Sequence, residues 1–562
     1  MKKIYLIIVI CFMSYTNYAQ VQNFQWAKNI GGQGDDIGNG ISTDANGNVF
    51  ITGNFNSSSI SFGNITLTNN TNLGGSIFIA KYDASGNALW AKSIPGGDFG
   101  GYKQGISTDV NGNVIITSHF SYNINFGSII LTNSDTSYIT SDIFIAKYDG
   151  NGNLLWAKKA GGKGRDRVYS ASNDANGNIF ITGQFSSPNI TFGNITLIDS
   201  TNLGCIFIAK YDASGNALWA KKSDGGGKGI GSSTDAKGNV FITGECSSSN
   251  IKFDTITLSN YPSNYPTSSN IFIAKYDGNG NVLWAKGAGG DSDDDISYGV
   301  STDANGNAFI TGNFKSPTIT FGNTILSNSN YFIVKYDANG NVLWAKGALG
   351  YNSYIDEGWN ISNESNGNVL VTGLFSSKSI TFGSILLNNT SQSPNNFDFF
   401  ITKYDASGNV IWAKGAFGIN QDAGCGISTD ANGNIFITGY SLSPNITFGG
   451  ITLNNLGKSD VFIAKLSGIT GVDELNKETD VLIAPNPFTS LVTFKFKSKI
   501  NETINLVILD AVGKEVYSKN IESNIGENSI TLNELNYLKT GIYFARLTNN
   551  DGISQLIKLV KN

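Results

Sequence analysis

The side chains best suited to chemistry in this sequence are acidic and aromatic, and they recur at fixed positions. Five aspartates share one register when the chain is aligned on Ser42 and its equivalents, and aromatic residues lie three positions after three of them. Carboxylates can hold a cation or transfer protons, whereas aromatic faces stack on apolar ligand surfaces. We therefore predict a ligand-binding set that consists of Asp36, Asp166, Tyr169, Asp295, Tyr298, Asp356, Trp359 and Asp422.

Two other roles for these residues stay open. A residue that returns in most repeats can serve the repeat itself, the aspartates by capping loops and the aromatic residues by packing. Alternatively, Asp295 and Asp356 could be the acid and base of a polysaccharide lyase or hydrolase, which needs two carboxylates about 5 to 10 Å apart. We assign no catalytic residue from the sequence.

Other familiar chemistries have little support. His119 is the only histidine, and we expect it on the surface of a strand, so histidine-rich metal sites and histidine-dependent triads are not expected. The segment Asp44-x-Asn46-x-Asn48 places oxygen ligands at alternate positions but lacks the glycine and distant glutamate of an EF-hand. We expect a hairpin turn there and no cofactor, with calcium binding as the alternative.

Charge and cysteine content narrow the range of partners. The net charge is -5 and basic residues are scattered, which gives no footprint for nucleic acid or an anionic membrane. The expected mature chain, without the signal peptide that holds Cys11, has three cysteines, Cys205, Cys246 and Cys425; they are far apart and odd in number, so small buried thiols are expected rather than a disulfide framework.

A repeat of about 65 residues positions all of these groups. Its anchor is Trp-Ala-Lys, which occurs seven times at intervals of 60 to 68 residues, beginning at Trp26, Trp90, Trp156, Trp219, Trp284, Trp344 and Trp412. Each unit also contains a segment like Ser42-Thr43-Asp44, in which Glu364 replaces the aspartate once, and a following Asn-Gly or similar pair supplies the positive φ that tight hairpin turns demand. The pattern predicts four strands per unit, with an extra ribbon around residues 59–67.

Seven such units predict an all-β, seven-bladed β-propeller over residues 21–468. The first Trp-Ala-Lys has no preceding strand of its own unit, and the last unit has a third strand, Val461 to Lys465, with no Trp-Ala-Lys after it. We therefore expect strands from the two ends of this region to pair and close the ring. The units resemble the SBBP-type β-propeller repeats of bacterial exported proteins, through Phe-Ile-Ala-Lys-Tyr-Asp and Gly-Asn-x-x-Trp-Ala-Lys, a resemblance that implies a fold but no single activity.

The two ends of the chain predict export. Residues 1–19 read as a signal peptide, with Lys2 and Lys3, an apolar run and cleavage near Ala19. Residues 469–480 read as a charged linker, and the alternating strands of residues 481–562 predict a small Ig-like β-sandwich.

This last region closely resembles the type A C-terminal sorting domain of the type IX secretion system of Bacteroidetes. The resemblance rests on the Pro-Asn-Pro-Phe opening, the Gly-Ile-Tyr-Phe strand and the Lys-Leu-Val-Lys ending, and it identifies Pro485, Asn486, Pro487, Phe488, Gly541, Tyr543, Lys558 and Lys561 as sorting-signal residues. It implies contact with the type IX machinery and a protein that is secreted or attached to the outer-membrane surface. An ordinary Ig-like module without a sorting role is the alternative.

Together these features predict an exported β-propeller scaffold for binding or adhesion, with glycan or protein as its ligand. The alternatives are the polysaccharide-active enzyme described above and a purely structural spacer or coat component. No transmembrane segment is expected in the mature chain.

Overall fold

The computed structural model describes residues 23–69, 75–96, 104–135, 140–200, 202–259, 268–290, 294–350, 355–390, 396–467, 482–498, 500–510, 514–548 and 554–562. The predicted signal peptide and the predicted linker lie outside these residues. The chain divides into two compact units, the first ending at residue 468 and the second comprising the rest. In the described part, all regular structure is β-strand, and no helix could cross a bilayer.

The first unit consists of a short opening strand followed by repeated groups of strands, which we call blades 1 to 7. The opening strand is β1 (Phe24–Ile30). Blade 1 contains β2 (Asp36–Thr43), β3 (Val49–Phe55), β4 (Ser59–Phe62), β5 (Ile65–Thr68), β6 (Ser76–Tyr82) and β7 (Ala88–Pro95). Blade 2 contains β8 (Gly105–Thr108), β9 (Val114–Phe120), β10 (Asn123–Asn125), β11 (Ile130–Thr132), β12 (Asp142–Tyr148) and β13 (Leu154–Gly161).

Blades 3 and 4 share one long strand. They contain β14 (Asp166–Asn173), β15 (Ile179–Phe185), β16 (Asn189–Phe192), β17 (Ile195–Ile198), β18 (Cys205–Tyr211), the shared β19 (Ala217–Thr234), β20 (Val240–Cys246), β21 (Asn250–Phe253), β22 (Ile256–Ser259), β23 (Asn270–Tyr276) and β24 (Val282–Ala288). The first part of β19 pairs with β18, and its last part pairs with β20.

Blades 5 to 7 repeat the pattern. Blade 5 contains β25 (Asp295–Thr302), β26 (Ala308–Phe314), β27 (Thr318–Phe321), β28 (Thr324–Ser327), β29 (Tyr331–Tyr336) and β30 (Val342–Gly347). Blade 6 contains β31 (Asp356–Asn363), β32 (Val369–Phe375), β33 (Ser379–Phe382), β34 (Ile385–Asn388), β35 (Asp398–Tyr404) and β36 (Val410–Ala416). Blade 7 contains β37 (Asp422–Thr429), β38 (Ile435–Ser441), β39 (Asn445–Phe448), β40 (Ile451–Asn454) and β41 (Asp460–Leu466).

Each blade is an antiparallel sheet of four main strands with a two-stranded ribbon between the second and third. In blade 1 the main order is β2-β3-β6-β7, and β4 and β5 form the ribbon. The sequence pattern predicts the first strand of blade 1 from Gly40 to Asp44, and the observed strand is longer because it already starts at Asp36. The expected extra ribbon is confirmed.

The ring is closed by the opening strand. β1 pairs antiparallel with β41 and supplies the fourth strand of blade 7, with Trp26 opposite Lys465. The first strands of successive blades also contact one another in cyclic order, β2, β8, β14, β19, β25, β31, β37 and again β2. The predicted pairing of the two ends of the repeat region is therefore confirmed.

The hydrophobic core of the first unit lies between blades rather than inside one blade. Phe50 and Ile79 of blade 1 pack with Ile116 and Phe144 of blade 2 in one cluster, and comparable clusters join the other neighbouring blades. Because both faces of each sheet are covered, the second and third strands of blade 1 are buried at every position rather than at alternate positions.

A repeated contact, which we call the blade latch, joins the outer parts of neighbouring blades. Trp219 Nε1 and Lys210 Nζ of blade 3 both donate to the carbonyl oxygen of Gly278 in blade 4, at 3.1 and 2.9 Å. The Trp219 ring lies over the same turn, so that a Cβ built on Gly280 would lie 2.9 Å from it. The same tryptophan bond recurs at Trp26, Trp90, Trp156, Trp284 and Trp344.

The second unit contains two sheets around one core. Its strands are β42 (Leu482–Ala484), β43 (Val492–Ser498), β44 (Glu502–Leu509), β45 (Glu515–Ser523), β46 (Gly526–Leu532), β47 (Gly541–Thr548) and β48 (Ser554–Lys561). They form a three-stranded sheet, β42-β43-β46, and a four-stranded sheet, β45-β44-β47-β48. The more specific prediction of an Ig-like sandwich stays a prediction.

Candidate binding site

A β-bulge in the first strand of the blades shapes the channel at the centre of the ring. In blade 3 the pairing of β14 with β15 shifts between Val168 and Ser170, which leaves Tyr169 as the extra residue. Equivalent shifts leave Asn39, Ile230, Tyr298, Trp359 and Cys425 as the extra residues of their strands. A bulge changes the direction of a side chain, and Asn39, Tyr169, Ile230 and Tyr298 line a central cavity of about 200 Å³.

Comparison of the blades with one another separates uniform positions from variable ones. The second strands all carry a threonine at the place of Thr52, and in six of them its hydroxyl donates to a carbonyl of the third strand. Two residues further on, at the place of Asn54, the side chain changes from blade to blade. The uniform threonine therefore joins the second strand to the third, whereas the residue at the place of Asn54 is not required by this pairing.

Three variable positions lie together where the first strands begin, and we call their side chains the mouth cluster. One position follows the recurring aspartate, one is the bulge, and one is the place of Asn54, which lies opposite Ile37 in the sheet. In the described residues, the position after the aspartate holds Ile37, Arg167, Lys228, Ile296, Glu357 and Ala423. The bulge position holds Asn39, Gln104, Tyr169, Ile230, Tyr298, Trp359 and Cys425. The place of Asn54 holds Asn54, His119, Gln184, Glu245, Asn313, Leu374 and Tyr440.

Hydrogen bonds connect the mouth cluster across blade boundaries. Gln104 Nε2 of blade 2 donates to Asn54 Oδ1 of blade 1 at 2.7 Å. On the opposite side, Asn313 Nδ2 of blade 5 donates to Glu357 Oε1 of blade 6 at 2.9 Å, and Trp359 Nε1 donates to the other oxygen of Glu357 at 2.6 Å. These bonds fix the orientation of polar groups around the mouth.

Charges are distributed unevenly within the cluster. Lys228 and Glu245 form an ion pair of 2.6 Å in blade 4, and Glu245 is almost fully buried. Burial raises the pKa of Tyr298, and the nearby carboxylates of Glu357, Glu245 and Asp294 raise it further. The pKa of Tyr169 is also raised, mainly by burial. Both phenols therefore stay protonated at neutral pH and can donate hydrogen bonds.

The five predicted aspartates do not form an exposed acidic ring. Asp36 is fully buried, and its carboxylate accepts bonds from the backbone of Gly32 and Asn56 and from the backbone and hydroxyl of Ser57. The equivalent hydroxyl bonds come from a serine 21 residues after the aspartate and reach Asp166, Asp295, Asp356 and Asp422. These are the contacts of the loop-capping alternative, and ligand binding by the aspartates stays only a prediction.

The aspartates also do not meet each other in the cavity. Burial raises the pKa of Asp295 to about 6, while bonds from Ser316 and Gly290 lower it. Burial likewise raises the pKa of Asp356, although Ser377 and Ser376 lower it. Each carboxylate is bonded within its own blade, and neither residue lines the cavity.

Two further expectations have different outcomes. The expected surface position of His119 is wrong, because every residue of its strand, β9, is buried between neighbouring strands. The expected hairpin turn at Asp44 is present, with Asp44 Oδ1 accepting from the backbone of Asn46 and Asn48 at 3.0 and 2.9 Å. Within the described ranges, no group of three His, Cys, Asp or Glu side chains could hold a metal ion. Calcium binding remains a prediction.

The cysteines are all inside the first unit. Cys205, Cys246 and Cys425 are buried, and burial raises the pKa of the Cys246 thiol. Cys425 occupies a bulge position of the mouth cluster.

The site prediction missed several members of the mouth cluster. Asn39, Gln104 and Ile230 share the register of Tyr169, Tyr298 and Trp359, but their residue types do not by themselves indicate binding. Glu245, Asn313 and Tyr440 lie in the second strand, where the variable residue follows the Thr-Gly pair in a nearly constant segment. This single variable position, within an otherwise nearly uniform segment, was the feature of the sequence that could have indicated these site residues.

In the second unit, the structure brings both ends of the predicted sorting signal together. The Phe488 backbone bonds with Val560 and Asn562, and Asn486 Oδ1 accepts from the backbone of Val560 at 2.8 Å. Phe488 is buried beneath the Lys561 ammonium, 5.6 Å from its ring centre, while residues 485–487 are exposed. Tyr543 donates to the Lys539 carbonyl at 2.9 Å, β47 begins at Gly541, and Lys558 lies in β48 opposite Phe544.

Two family models match the chain. Residues 482–562 match the secretion system C-terminal sorting domain, and residues 25–60 match the beta-propeller repeat named SBBP. The chain is a secreted β-propeller protein with a type IX sorting domain. Its location is therefore extracellular or at the outer-membrane surface.

Individual proteins resemble this secreted β-propeller protein only weakly in sequence and structure. An uncharacterized WD repeat-containing protein of Acanthamoeba polyphaga mimivirus is 25% identical over 520 residues, which cover 75% of this chain and 36% of the relative. A puromycin hydrolase structure has a TM-score of 0.37 and 9% identity over 82% of this chain and 58% of that one. PorZ, a surface component of the type IX secretion system of Porphyromonas gingivalis, has a TM-score of 0.17 and 11% identity over 95% and 100%.

Proposed function

We propose that this secreted β-propeller protein is a binding or adhesion scaffold whose mouth cluster engages a glycan or protein outside the cell. The observation that carries the proposal is the distribution of variable positions. The blades repeat similar turns and similar apolar residues, yet three of the positions that change most from blade to blade lie together where the first strands begin.

The chemistry of the cluster supports recognition. It combines large aromatic side chains, such as Tyr169 and Trp359, with amides and an ion pair in which Glu245 is buried and Lys228 is exposed, and binding sites use such groups for affinity and orientation. The hydrogen bonds of Gln104 and Glu357 fix their side chains before a ligand arrives. Such preorganisation reduces the entropy that binding costs.

Export by the type IX machinery supports an extracellular ligand. The sorting domain directs the chain through the outer membrane, so the ligand lies among the polysaccharides and proteins that surround the cell. Direct contact of Phe488 and the terminal strand with that machinery forms part of the proposal.

A binding screen tests the proposed function. The mature chain would be applied to an array of glycans and a panel of extracellular proteins, with and without calcium, beside a Tyr169→Ala, Tyr298→Ala, Trp359→Ala triple variant. We expect specific binding by the native chain and a loss of at least tenfold in the variant, which corresponds to about 1.4 kcal/mol.

A matched control variant distinguishes the loss of side chains at the mouth cluster from the loss of apolar side chains on the outer strands. Leu218, Leu283 and Leu343 are half-exposed on the outer strands of three blades, and their triple alanine variant removes similar apolar area far from the mouth. Equal losses in both variants, or no binding to any member of either panel by a folded native chain, would overturn the proposal.

A further inference from the structure

Two buried carboxyl groups lie next to each other at three of the junctions between neighbouring blades. One belongs to the residue that begins the third strand of a blade, and the other to the aspartate that begins the first strand of the next blade. In each case the backbone N–H of the second residue donates to the carbonyl of the residue before the first, at 2.8 to 2.9 Å. The pairs, which are at most 1% exposed, are Asp460 with Asp36, Asp398 with Asp422, and Asp142 with Asp166.

One oxygen of the first carboxyl in each pair has no hydrogen-bond partner. Asp460 Oδ2 accepts from the backbone of Leu456 and from Asn29 Nδ2, both at 2.6 Å. The Oδ1 atoms of Asp460, Asp398 and Asp142 are buried without a partner. An ionised oxygen in this position has lost its hydration without compensation. A proton removes that cost, and unlike a larger ligand it needs no cavity in which to bind.

The junction of blades 4 and 5 shows the same arrangement with a neutral side chain. Asn270 begins β23 at the place of Asp460, next to the aspartate Asp295 of blade 5. A Cβ built on Gly289 would lie 2.1 Å from Asn270 Oδ1, and one built on Gly31 would lie 2.0 Å from Asp460 Oδ1. Because a carboxamide has nearly the shape of a protonated carboxyl, this junction indicates that the place of Asp460 accommodates a neutral group.

The pair between blades 2 and 3 lies next to a lysine. Lys159 Nζ, on the outer strand β13, is 3.2 Å from Asp142 Oδ2. The equivalent residue is Asn29 at the junction of blades 7 and 1 and Gly415 at the junction of blades 6 and 7. Among the described residues, no Lys, Arg or His bonds with the four carboxyls of these two junctions. With every carboxyl ionised, each of them would carry two negative charges, whereas the junction with Lys159 would carry one.

Few other titratable groups adjoin these two junctions in the described part of the chain. Tyr440 lies near Asp422, and its phenol stays neutral because burial, above all, raises its pKa. Asp35 and Lys458 flank the junction of blades 7 and 1 as an ion pair of 3.5 Å that is largely exposed to solvent and therefore contributes little. A shared proton is thus the remaining way to neutralise one carboxyl of each pair.

The pKa values of these carboxyls agree with shared protons. Burial raises the pKa of Asp422 to about 7 and the pKa of Asp398 to about 6, and the Asp398 charge raises the former further. Burial also raises the pKa of Asp36 and of Asp460. Because an unfolded aspartate has a pKa of about 3.9, the contribution of these protons to stability is complete below about pH 4 and is lost as the pH rises through about 6 to 7.

Both junctions that lack a lysine belong to blade 7, which contains β1 and β37 to β41 from the two ends of the repeat region. We propose that blade 7 is a pH-dependent closure of the ring, held to blades 6 and 1 by one shared proton at each carboxyl pair. Loss of these protons at alkaline pH leaves two like charges in a buried site, where they repel each other. Blade 7 then loosens while the other blades stay closed, whether or not the mouth cluster binds a ligand.

Hydrogen–deuterium exchange of the full mature chain at about pH 5.5 and about pH 8.5 tests this closure. After correction for the intrinsic pH dependence of amide exchange, β38 and β41 of blade 7 are compared with β20 and β23 of blade 4. Blade 4 is the reference because Cys205 and Asn270 occupy the place of Asp460 at its two junctions. We expect the protection of blade 7 to fall at least about tenfold at the higher pH, with a smaller change in blade 4.

Two variants test the shared protons directly. The double variant Asp398→Asn, Asp460→Asn copies the amide of Asn270 and should abolish the pH effect on blade 7 while keeping its protection at about pH 5.5. Asn29→Lys copies Lys159 and should reduce the pH effect without removing a carboxyl. The second variant keeps the test independent of the folding of the first.

Asp142→Asn is the matched control, because it removes a carboxyl from the junction that already has Lys159. The pH effect on blade 7 should equal that of the native chain in this variant. Equal pH effects in blades 4 and 7 of the native chain would overturn the proposal. A pH effect of native size in either the double variant or Asn29→Lys, or its loss in Asp142→Asn, would overturn it as well.

Discussion

At the scale of single residues, the same residue type serves different purposes at different points of the blade. The aspartates of the turns between outer strands are only partly buried, and the bond from the Asn153 side chain is the main cause of the lowered pKa of Asp149. The aspartates that begin the first strands are buried, and their pKa values are raised. Environment, rather than sequence register, decides what each carboxylate does.

Asp422 should make stability depend on pH. Burial raises its pKa to about 7, although bonds from Ser441 and Ser443 lower it and the Asp398 carboxylate raises it further. An unfolded aspartate has a pKa of about 3.9, so the folded chain holds an extra proton between these values. This contribution to stability is complete below about pH 4 and is lost as the pH rises through about 7.

The prediction is that Asp422→Asn becomes more stable relative to the native chain as the pH rises from about 5 to about 8, by roughly 1 to 3 kcal/mol. Urea midpoints at several pH values measure the difference. Asp405 is the control, since it lies in an outer turn and its pKa is lowered by bonds from Asn409 despite an opposing contribution from burial. Asp405→Asn should show a constant difference over this range, and identical pH profiles for all three proteins would contradict the assignment.

The residues of the site were only partly predictable. The register of the aspartates is visible in the sequence, but their burial depends on a serine 21 residues later, a spacing that becomes meaningful only when the second strand and ribbon are in place. Tyr169 and Tyr298 were predicted and do line the cavity. The burial of Asn39 Nδ2 without a hydrogen-bond partner could not be predicted, because Asn39 is the extra residue of a bulge that only strand pairing reveals.

At the scale of elements, the blade latch explains why Trp-Ala-Lys and the Asp-x-x-Gly turn recur together. The tryptophan of Trp-Ala-Lys and a lysine of the third strand, such as Lys210, donate to the turn of the next blade, and the glycine of that turn leaves room for the indole ring. Gly280 has a φ of 85° and would also bring a Cβ within 2.9 Å of Trp219. Gly63 has a φ of 62° with nothing near its Cβ position.

These two glycines give a matched test of the latch. Both alanine substitutions place a side chain in the left-handed region, at about 1 to 2 kcal/mol. Gly280→Ala must in addition displace Trp219, so we expect its unfolding midpoint to fall clearly below that of Gly63→Ala. In a Trp219→Ala background the extra loss should disappear; if it persists, the latch does not explain the glycine.

The four-strand blade was predictable because turn residues and apolar runs alternate regularly in each unit. The length of the first strand was not. Residues before Gly40 look like a loop in the sequence, since small and polar residues precede the bulge, yet they pair with the second strand from Asp36 onward. Tertiary pairing with Phe55 and Asn54 outweighs their weak strand preference.

At the scale of the whole molecule, closure of the ring by β1 joins the start and the end of the repeat region. The strand covers the outer edge of β41 and places Ala27 and Phe24 against the core between blades 6 and 7. An incomplete unit at each end of the repeat region made this feature predictable from sequence. The arrangement of the second unit was less predictable, because its strands are unique rather than repeated.

Removal of residues 23–30 should open the ring. We expect a lower unfolding temperature and a tendency to self-associate, because β41 would become an exposed sheet edge. Calorimetry and light scattering measure both effects, and a synthetic peptide of the deleted strand should restore the native values. A truncated chain that stays monomeric with unchanged thermal stability would show that closure does not depend on β1.

The central claim is that ligand binding takes place at the mouth cluster, and hydrogen–deuterium exchange with the ligand found in the binding screen tests it most directly. The predicted result is slower exchange at the beginnings of the first strands, around residues 166–170, 295–299 and 356–360, with no change in the outer ribbons. Protection confined to the ribbons or the outer strands, with the mouth unchanged, would contradict the claim.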